Sequence, residues 1–312
     1  MKLSVVIPCY NEQEVLPKTT ENLITILKKI KKNNLISDYE LIFVNDGSKD
    51  NTEKIITAFT KKNKRIKAIM FNSNFGHQSA ILAGILNSTG QAVITIDADL
   101  QDPPKYIPEF VKEYKKGNDV VIGVRKDRST DSFLKKFFAE SFYKLSKFLG
   151  VPGEFNAGDF RLISNKVVLN LKEFPERNLY LRGLIPSMKF KTGKVFYKRE
   201  KRFAGETHYP FMKSFDLALN GITSFSTKPL RIIGVLGFIL FFISIILFLL
   251  VFYARFFTSS TIVGWSSIFA TILFFNSLNF IFLSIIGEYI GKIYIETKQR
   301  PKYIIKEKLN FK

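Results

Sequence analysis

The sequence contains one cysteine, Cys9, and two histidines, His77 and His208, among 312 residues. A single cysteine excludes a disulfide framework and a cysteine-rich zinc site. Two histidines cannot form a histidine-rich metal centre, and we expect structural or solvent-exposed roles for both. Neither a G-x-x-x-x-G-K-[ST] nor a G-x-G-x-x-G motif occurs, so P-loop and dinucleotide chemistry have no support.

Acidic residues are scarce: 27 Asp and Glu stand against 47 Lys and Arg, a formal net charge of +20. This excess predicts an anionic partner, which is a nucleic acid, a membrane surface or a phosphorylated substrate. The hydrophobic share of 46% excludes a disordered chain. The positive residues flank apolar segments and no nucleic-acid-binding motif is recognised, so we expect no nucleic-acid partner.

Charge is absent from two long apolar segments near the C-terminus. The first, 232–254, has 23 residues, and at about 1.5 Å per residue it can cross a hydrocarbon core of ~30 Å. The second, 256–287, contains Asn276 and Asn279, polar residues that suit packing between two helices. We predict transmembrane helices at 229–254 and 265–287, although two buried helices of a soluble core remain the alternative, mainly for the second.

The charged flanks of these segments predict an orientation. Residues 189–213 contain 8 Lys and Arg against 2 acidic residues, and residues 288–312 contain 7 against 3. Positive flanks stay in the cytosol, so we predict a cytosolic domain at 1–210, a basic cytosolic tail at 288–312 and a bacterial plasma-membrane location. Residues 211–228 form a predicted amphipathic helix, which lies in the lipid interface or packs on the soluble domain.

Short apolar runs alternate with amphipathic helical patterns through the soluble part. The predicted strands are 3–8, 39–45, 66–71, 92–96 and 119–123, and the predicted helices are 12–31, 51–63, 77–86 and 104–115. This alternation is typical of a parallel sheet with helices on both faces. The sequence therefore predicts an α/β domain of the nucleotide-binding type.

Polar clusters follow three of the predicted strands, at residues 8–12, 45–48 and 97–102. Sites in open α/β sheets lie beyond the carboxyl ends of the strands, so the three clusters should converge on one edge. Asp46, in the second cluster, either forms an Asx turn that caps the next helix or accepts hydrogen bonds from a nucleobase or ribose.

The third cluster predicts a metal site. Asp97, Asp99 and Gln101 offer two carboxylates and an amide oxygen, which suit Mg²⁺ or Mn²⁺ held partly by substrate phosphates. A pair of surface aspartates is the alternative for so short a motif. The following Asp-Pro-Pro at 102–104 fixes a turn and starts a helix, which favours the metal site.

Together these motifs resemble glycosyltransferase family 2 with its GT-A fold, in the polyprenyl-phosphate branch similar to bactoprenol glucosyltransferase and dolichyl-phosphate mannose synthase. The matching segments are VVIPCYNE (5–12), VNDGSKDNT (44–52), NFGHQSAILAG (74–84), DADLQDPP (97–104), VIGVR (121–125), GDFRLIS (158–164), KRFAGETHYP (201–210) and GEYIGKIYIETKQRPKY (287–303). The resemblance covers nearly the whole chain and implies a GT-A catalytic domain followed by a C-terminal two-helix transmembrane hairpin.

The resemblance also implies roles for single residues. Those implied for nucleotide-sugar binding are Pro8, Tyr10, Glu12, Asp46 and Asp97. Those implied as ligands of Mg²⁺ or Mn²⁺ are Asp97, Asp99 and Gln101. Those implied in catalysis are Arg125 and Arg202, which would bind phosphate groups, and Asp99 and Asp159, which would assist the transfer.

Two departures from the family pattern occur. Asn156 stands where an acidic residue is often seen, which weakens any assignment at that position, and Thr207 replaces the usual serine but keeps the hydroxyl. The processive polysaccharide synthases of the family have a Q-x-x-R-W motif. Trp265 is the only tryptophan and follows no such motif, which argues against chain polymerisation.

The implied reaction is inverting transfer of one hexosyl residue, glucose favoured, from a nucleotide sugar, UDP-glucose favoured, to a polyprenyl phosphate such as undecaprenyl phosphate. Because a phosphate monoester is largely dianionic at neutral pH, this acceptor needs no strong general base. The alternatives are a hydroxyl acceptor on a lipid or glycan, a GDP-dependent mannosyl transfer, and a binding module without turnover. Small and aromatic residues on both spans are compatible with a homo-oligomer.

Overall fold

The computed structural model describes residues 1–126, 148–150, 152, 154, 156–177, 180–200, 221–257 and 264–311. The strands within these residues are β1 (Lys2–Cys9), β2 (Asp38–Asn45), β3 (Ile66–Phe71), β4 (Ala92–Thr95), β5 (Val120–Arg125), β6 (Ala157–Ser164), β7 (Thr192–Tyr197) and β8 (Ile305–Leu309). The helices are α1 (Leu16–Lys32), α2 (Thr52–Lys62), α3 (His77–Leu86), α4 (Ile107–Lys115), α5 (Asn165–Lys172), α6 (Leu181–Ser187), α7 (Lys228–Phe257) and α8 (Trp265–Thr297). One sheet has the strand order β7-β5-β6-β4-β1-β2-β3-β8.

The central strands β4, β1, β2 and β3 pair in parallel. Their side chains are buried on both faces, as shown by Val5 and Val6, neighbours on β1 that are both 0% exposed. Helices cover both faces of the sheet, so continuous apolar runs rather than alternating ones form these strands. The predicted parallel α/β sheet is confirmed, and the predicted strand ends lie within two residues of the observed ones.

Helix α1 begins later than predicted. The sequence pattern places its start at residue 12, whereas the helix begins at Leu16. The N–H groups of Glu12 and Gln13 donate instead to Thr52 Oγ1 at 2.9 Å and Asp50 Oδ2 at 3.1 Å. These bonds join the loop after β1 to the loop after β2.

The predicted helix at 104–115 is divided into two parts. Residues Pro104–Tyr106 form a 3₁₀ turn, and the α-helix, α4, follows at Ile107–Lys115. Short 3₁₀ turns are common where an α-helix begins. The first turn is therefore a 3₁₀ turn rather than an α-helical one, and the two parts together span the predicted residues 104–115.

One half of the sheet contains antiparallel pairs. Strand β6 lies between β4 and β5 and is antiparallel to both, and β7 then pairs with β5 in parallel. The fifth predicted strand, at 119–123, therefore has β6 and β7 as neighbours. With the parallel central strands, the sheet is mixed and mostly parallel.

The C-terminal part is helical over most of its length. One helical segment among the described residues, Phe274–Thr297 of α8, is long and apolar enough to cross a membrane. The two-helix hairpin stays a prediction, although α7 does include the predicted first span. Helix α8 continues past the predicted end at residue 287. Of the predicted amphipathic helix at 211–228, residues 211–220 lie outside the described residues, and residues 221–225 are helical.

The segment predicted as a basic tail returns to the sheet. Strand β8 pairs antiparallel with β3, and the ring of Tyr303 stacks on that of Phe71 with centroids 5.0 Å apart. The side-chain amide of Asn310 donates to the backbone oxygens of Thr60 and Ile66 at 2.7 and 2.8 Å. The end of the chain thus covers an edge of the sheet that would otherwise expose unpaired backbone groups.

Candidate active site at the carboxyl edge of the sheet

The three polar clusters converge as the sequence predicts, because β4, β1 and β2 are adjacent parallel strands. The loops after β1 and β2 are bonded to each other. Asn11 N–H donates to Ser48 Oγ at 3.0 Å, and Lys49 N–H donates to Asn11 Oδ1 at 2.8 Å. Asn11 adopts a left-handed φ of 56°, a conformation that asparagine tolerates better than most residues.

An open pocket of about 370 Å³ lies between these loops, lined by residues 11–15 together with Lys49 and Asp50. Of the predicted nucleotide-binding residues, Glu12 lines this pocket, Tyr10 is 40% exposed, and Pro8 is buried within β1. Asp46 and Asp97 do not line it. The pocket therefore adjoins one of the predicted nucleotide-binding residues, Glu12, whereas Asp46 and Asp97 lie elsewhere along the edge.

Asp46 orders the loop that enters α3. Its carboxylate accepts the N–H groups of Phe75 at 2.7 Å and Gly76 at 2.9 Å, and its side chain is buried. Burial raises the pKa of Asp46, and these two N–H groups oppose the rise. These bonds differ from the predicted Asx turn, because the bonded amides belong to another loop. The contact of Asp46 with a nucleobase or ribose stays a prediction. The immediate consequence of the two bonds is the position of His77, the first residue of α3.

His77 lies between two carboxylates. Its Nε2 is 3.5 Å from Asp97 Oδ1 and 3.3 Å from Asp159 Oδ2, and its side chain keeps 41% exposure. Burial opposes protonation, but the hydrogen bond to Asp159 and the charges of both carboxylates outweigh it and raise the pKa of His77 to about 9. The expected structural or solvent role is therefore incomplete, since His77 joins the predicted metal ligand Asp97 to the predicted catalytic residue Asp159.

Asp97 and Asp99 offer oxygens that suit a hard cation. Within the described part of the chain, Asp97 Oδ1 is buried and accepts no hydrogen bond, and burial raises the pKa of Asp97 to about 6 although the charge of His77 opposes the rise. Asp99 is 7% exposed, and its Oδ1 accepts Gln101 N–H at 3.1 Å. Two carboxylates, one of them with an unsatisfied buried oxygen, fit Mg²⁺ or Mn²⁺.

A complete protein cage for a metal is absent from the described residues, where no three His, Cys, Asp or Glu side chains are arranged to hold an ion. The third predicted ligand, Gln101, is engaged, since its Oε1 accepts a hydrogen bond from Arg199 Nη2 at 2.5 Å. Substrate phosphates and water would therefore complete the coordination of an ion on Asp97 and Asp99, as is usual for Mg²⁺.

Asp102, the last residue of the third polar cluster and part of the predicted turn, is a buried carboxylate. It is 1% exposed and accepts a hydrogen bond from Tyr197 OH at 2.8 Å on Oδ1. Its Oδ2 has no partner among the described residues. Arg125, a predicted phosphate-binding residue, donates through Nε to Tyr197 OH at 3.2 Å, and its Nη2 lies 3.7 Å from Asp102 Oδ1. Burial, followed by the charge of Asp102, raises the pKa of Tyr197.

Asp159 is the most heavily paired of the predicted catalytic residues. Arg182 donates to it through Nε at 3.1 and 3.2 Å and through Nη2 at 2.7 Å. Arg161 Nη2 lies 3.4 Å from Oδ1, and Gln78 Nε2 donates to Oδ2 at 3.3 Å. Although burial acts in the opposite direction, the charge of Arg182 and the bonds from His77 and Arg182 hold the pKa of Asp159 well below its usual range. A carboxylate with both oxygens engaged and a low pKa is a poor proton acceptor.

Sequence reasoning missed several members of this group. Arg161 falls inside the matched segment GDFRLIS, which pointed to it only as part of a motif. Arg182 and Tyr197 had no local signal, because their partners are distant in the sequence. Arg202, the remaining predicted catalytic residue, lies outside the described residues, and its role stays a prediction.

A family model and two relatives that match nearly the whole chain all relate it to glycosyltransferases. Residues 4–171 match the family described as glycosyl transferase family 2. The bactoprenol glucosyl transferase of Shigella phage SfX is 42% identical over 317 residues, which cover 99% of this chain and 100% of the relative. The uncharacterized glycosyltransferase YkoT of Bacillus subtilis strain 168 is 42% identical over 306 residues, covering 97% of this chain and 90% of that protein.

Solved structures give a more distant similarity. Glucosyl-3-phosphoglycerate synthase from Mycobacterium tuberculosis has a TM-score of 0.45 and 17% identity, covering 71% of this chain and 78% of that chain. The family match and the two relatives, by contrast, extend over more than half and nearly all of the sequence. The chain therefore belongs to glycosyl transferase family 2, and it is a glycosyltransferase with a GT-A α/β fold.

Proposed function

We propose that the protein transfers a single glucosyl residue from a nucleotide sugar, UDP-glucose favoured, to a polyprenyl phosphate such as undecaprenyl phosphate. The observation that carries this proposal is the 42% identity with bactoprenol glucosyl transferase over essentially both complete chains. The product would be a lipid-linked sugar for cell-surface glycan modification, made at the cytosolic face of a bacterial plasma membrane.

The donor side of the reaction uses the acidic part of the edge. Glu12 lines the open pocket, where the nucleoside would lie. Pro8 in β1, Tyr10 after β1 and Asp46 after β2 would contact the same nucleotide. Asp97 and Asp99 would hold Mg²⁺ or Mn²⁺ together with the donor diphosphate. A divalent ion bound there neutralises negative charge on the departing nucleoside diphosphate. His77 keeps a positive charge beside Asp97 and Asp159 and so offsets part of their negative charge near the donor phosphates.

The acceptor side needs positioning more than proton transfer. A polyprenyl phosphate oxygen is already negative at neutral pH, and it attacks the anomeric carbon from the side opposite the leaving group, which inverts the configuration. Arg125 and Arg202 would bind phosphate, and oriented cations stabilise the charge that moves between acceptor and donor. The low pKa and engaged oxygens of Asp159 support this acceptor over a hydroxyl group, because a hydroxyl would need a general base.

The membrane part of the proposal includes both predicted spans, with the catalytic domain and the C-terminus in the cytosol. The helix Phe274–Thr297 supports one crossing by its length and composition, and the uncharged segment 232–254 supports the second. Lys and Arg near the ends of these helices favour the cytosolic side and attract anionic lipid phosphates.

The test is a transfer assay with detergent-purified protein, Mg²⁺ or Mn²⁺ and a panel of radiolabelled nucleotide sugars. Undecaprenyl phosphate and the dephosphorylated alcohol serve as matched acceptors. We expect label from UDP-glucose to enter the organic phase only with the phosphorylated lipid, and chelation of the metal to stop it. Equal transfer to the alcohol would favour a hydroxyl acceptor, and label from GDP-mannose alone would replace the proposed donor.

A further inference from the structure

Arg182 lies at the rim of the candidate site, and the proposed mechanism gives this residue no role. Its Nε and Nη2 are both directed to Asp159, yet its side chain is 33% exposed while that of Asp159 is 3% exposed. No partner of Arg182 Nη1 occurs among the described residues. An arginine held by one carboxylate and still partly open to solvent can bind a second anion with its remaining N–H groups.

The helix that contains Arg182 packs against the segment that precedes the long apolar helices. Gly183 lies so close to Phe225 that a Cβ on the glycine would be 2.8 Å from the phenylalanine ring. The rings of Tyr180 and Phe225 are 5.9 Å apart. Residues 221–225 therefore contact α6 directly at Gly183, the residue that follows Arg182.

The same segment contacts the candidate membrane helix. Lys292 Nζ donates to Ser224 Oγ at 3.0 Å, and Tyr289 OH donates to the backbone oxygen of Ser226 at 2.5 Å. Helix α7 then begins at Lys228. A short segment, 221–227, thus links the membrane-associated helices to α6, and α6 supplies Arg182 to the site.

We propose that Arg182 binds the phosphate of the lipid acceptor and that Asp159 is a positioning residue that fixes its guanidinium group. The inference rests on the proposed function. The proposed donor site is at Asp97 and Asp99. Arg182 is joined to Asp97 only through Asp159 and His77, and its helix contacts segment 221–227, which precedes the long apolar helix α7. Arginine suits this role because its planar group binds phosphate through paired N–H donors.

The experiment separates Arg182 from its structural role as the partner of a buried carboxylate. Removing Arg182 alone deprives the buried Asp159 of its shortest ion pair, so the informative variants are Arg182→Lys and the neutral pair Arg182→Gln with Asp159→Asn. Arg65→Gln, which removes an exposed cation at the opposite edge of the sheet, is the matched control. For each, calorimetry measures affinity for a short-chain prenyl phosphate and for UDP, and initial rates give KM for lipid phosphate and UDP-glucose.

We expect the neutral pair to lose at least tenfold in affinity for the prenyl phosphate, with UDP affinity changed less than twofold. Arg182→Lys should retain part of the lost affinity, and Arg65→Gln should match the wild type. Loss of UDP affinity with unchanged prenyl phosphate affinity would overturn the assignment in favour of the donor diphosphate, and unchanged affinity for both would overturn it outright. Either result, with normal wild-type transfer, leaves the proposed function standing; a wild type that transfers to no polyprenyl phosphate would overturn both.

Discussion

The two edges of the sheet differ in how completely the fold satisfies their buried carboxylates. Glu40, near the start of β2, and Asp159, on β6, have side chains that are 2% and 3% exposed. The partners of Glu40 within 3 Å are Ser4 Oγ, the N–H and Oγ1 of Thr89, Lys2 Nζ and Lys67 Nζ. Every one of these belongs to the folded chain, so the amino edge is complete without a ligand.

The carboxyl edge is different although it contains more charge. Asp97 Oδ1 and Asp102 Oδ2 are buried without hydrogen-bond partners among the described residues. Two of the cations that contact Asp159 stay partly open to solvent, since His77 is 41% and Arg182 33% exposed. Unsatisfied buried oxygens cost free energy unless something binds them. The comparison teaches that equal burial can serve stability at one edge and prepare ligand binding at the other.

Replacing Asp97 with Asn should give the largest effect and should sharpen this contrast. The substitution removes a predicted metal ligand whose Oδ1 has no hydrogen bond to lose, so we expect glucosyl transfer to fall 10²- to 10³-fold, about 2.7–4 kcal/mol in the transition state. The unfolding temperature should change little. Initial rates and thermal unfolding in detergent measure the two effects, and a variant that keeps full activity would contradict the metal site.

Glu40→Gln should have the opposite pair of effects: the protein should lose stability and keep its transferase activity. Loss of the charge leaves Lys2 and Lys67 without their carboxylate, and Lys67 is only 14% exposed, so we expect destabilisation of about 3 kcal/mol. Turnover at a temperature where the variant is folded should match the wild type. Denaturant unfolding checks the first expectation. A loss of activity without loss of stability would break the comparison between the edges.

Lowering the pH should remove the stabilisation that the charge of Glu40 gives to the wild type. Burial disfavours its charge, but bonds from Ser4, Lys67, Thr89 and Lys2 outweigh burial and lower the pKa of Glu40 from 4.5 to about 2. Because the folded pKa is the lower one, the stabilisation is present above pH 4.5 and disappears as the pH falls towards 2. Between pH 6 and pH 3 this single group should account for about 2 kcal/mol of lost stability.

The variant Glu40→Gln provides the control for that experiment. Its free energy of unfolding should fall by about 2 kcal/mol less than that of the wild type over the same pH range, because the group responsible is gone. Unfolding in denaturant at each pH gives both curves. Parallel curves would show that Glu40 does not have the lowered pKa that its partners imply.

Lys306→Ala should give the smallest effect. The Lys306–Glu53 pair joins β8 to α2 at 2.8 Å, but the two side chains are 54% and 36% exposed. Solvent screens the attraction between exposed partners, so we expect no measurable change in the free energy of unfolding. A large destabilisation would mean that closure of the sheet edge depends on this pair rather than on the backbone pairing of β8.

The sequence predicted the parallel half of the fold well and the remainder poorly. Short apolar runs with turn residues at both ends identify β1 to β5 because burial on both faces leaves a local signature. Strand β6 lies between β4 and β5, and β8 pairs with β3, through contacts that no local pattern records. The start of α1 at Leu16 likewise depends on bonds from the loop after β2.

The site was predictable where chemistry and strand ends coincide. Asp97 and Asp99 follow a buried strand directly, so their place at the carboxyl edge follows from the sheet itself. His77 and Arg182 meet these residues only through folding, and a lone histidine or arginine has no spacing that reveals its partners. The pairing of Asp159 with Arg182 is likewise invisible in the sequence, which predicted only that Asp159 assists the transfer.

The most direct test measures glucosyl transfer to undecaprenyl phosphate by the wild type, Asp97→Asn and Glu40→Gln, each at a temperature where thermal unfolding shows it folded. The account predicts strong transfer by the wild type and by Glu40→Gln and almost none by Asp97→Asn. Full transfer by Asp97→Asn, or no transfer to the phosphorylated lipid by the wild type, would contradict the claim that the carboxyl edge of the sheet is the site of this reaction.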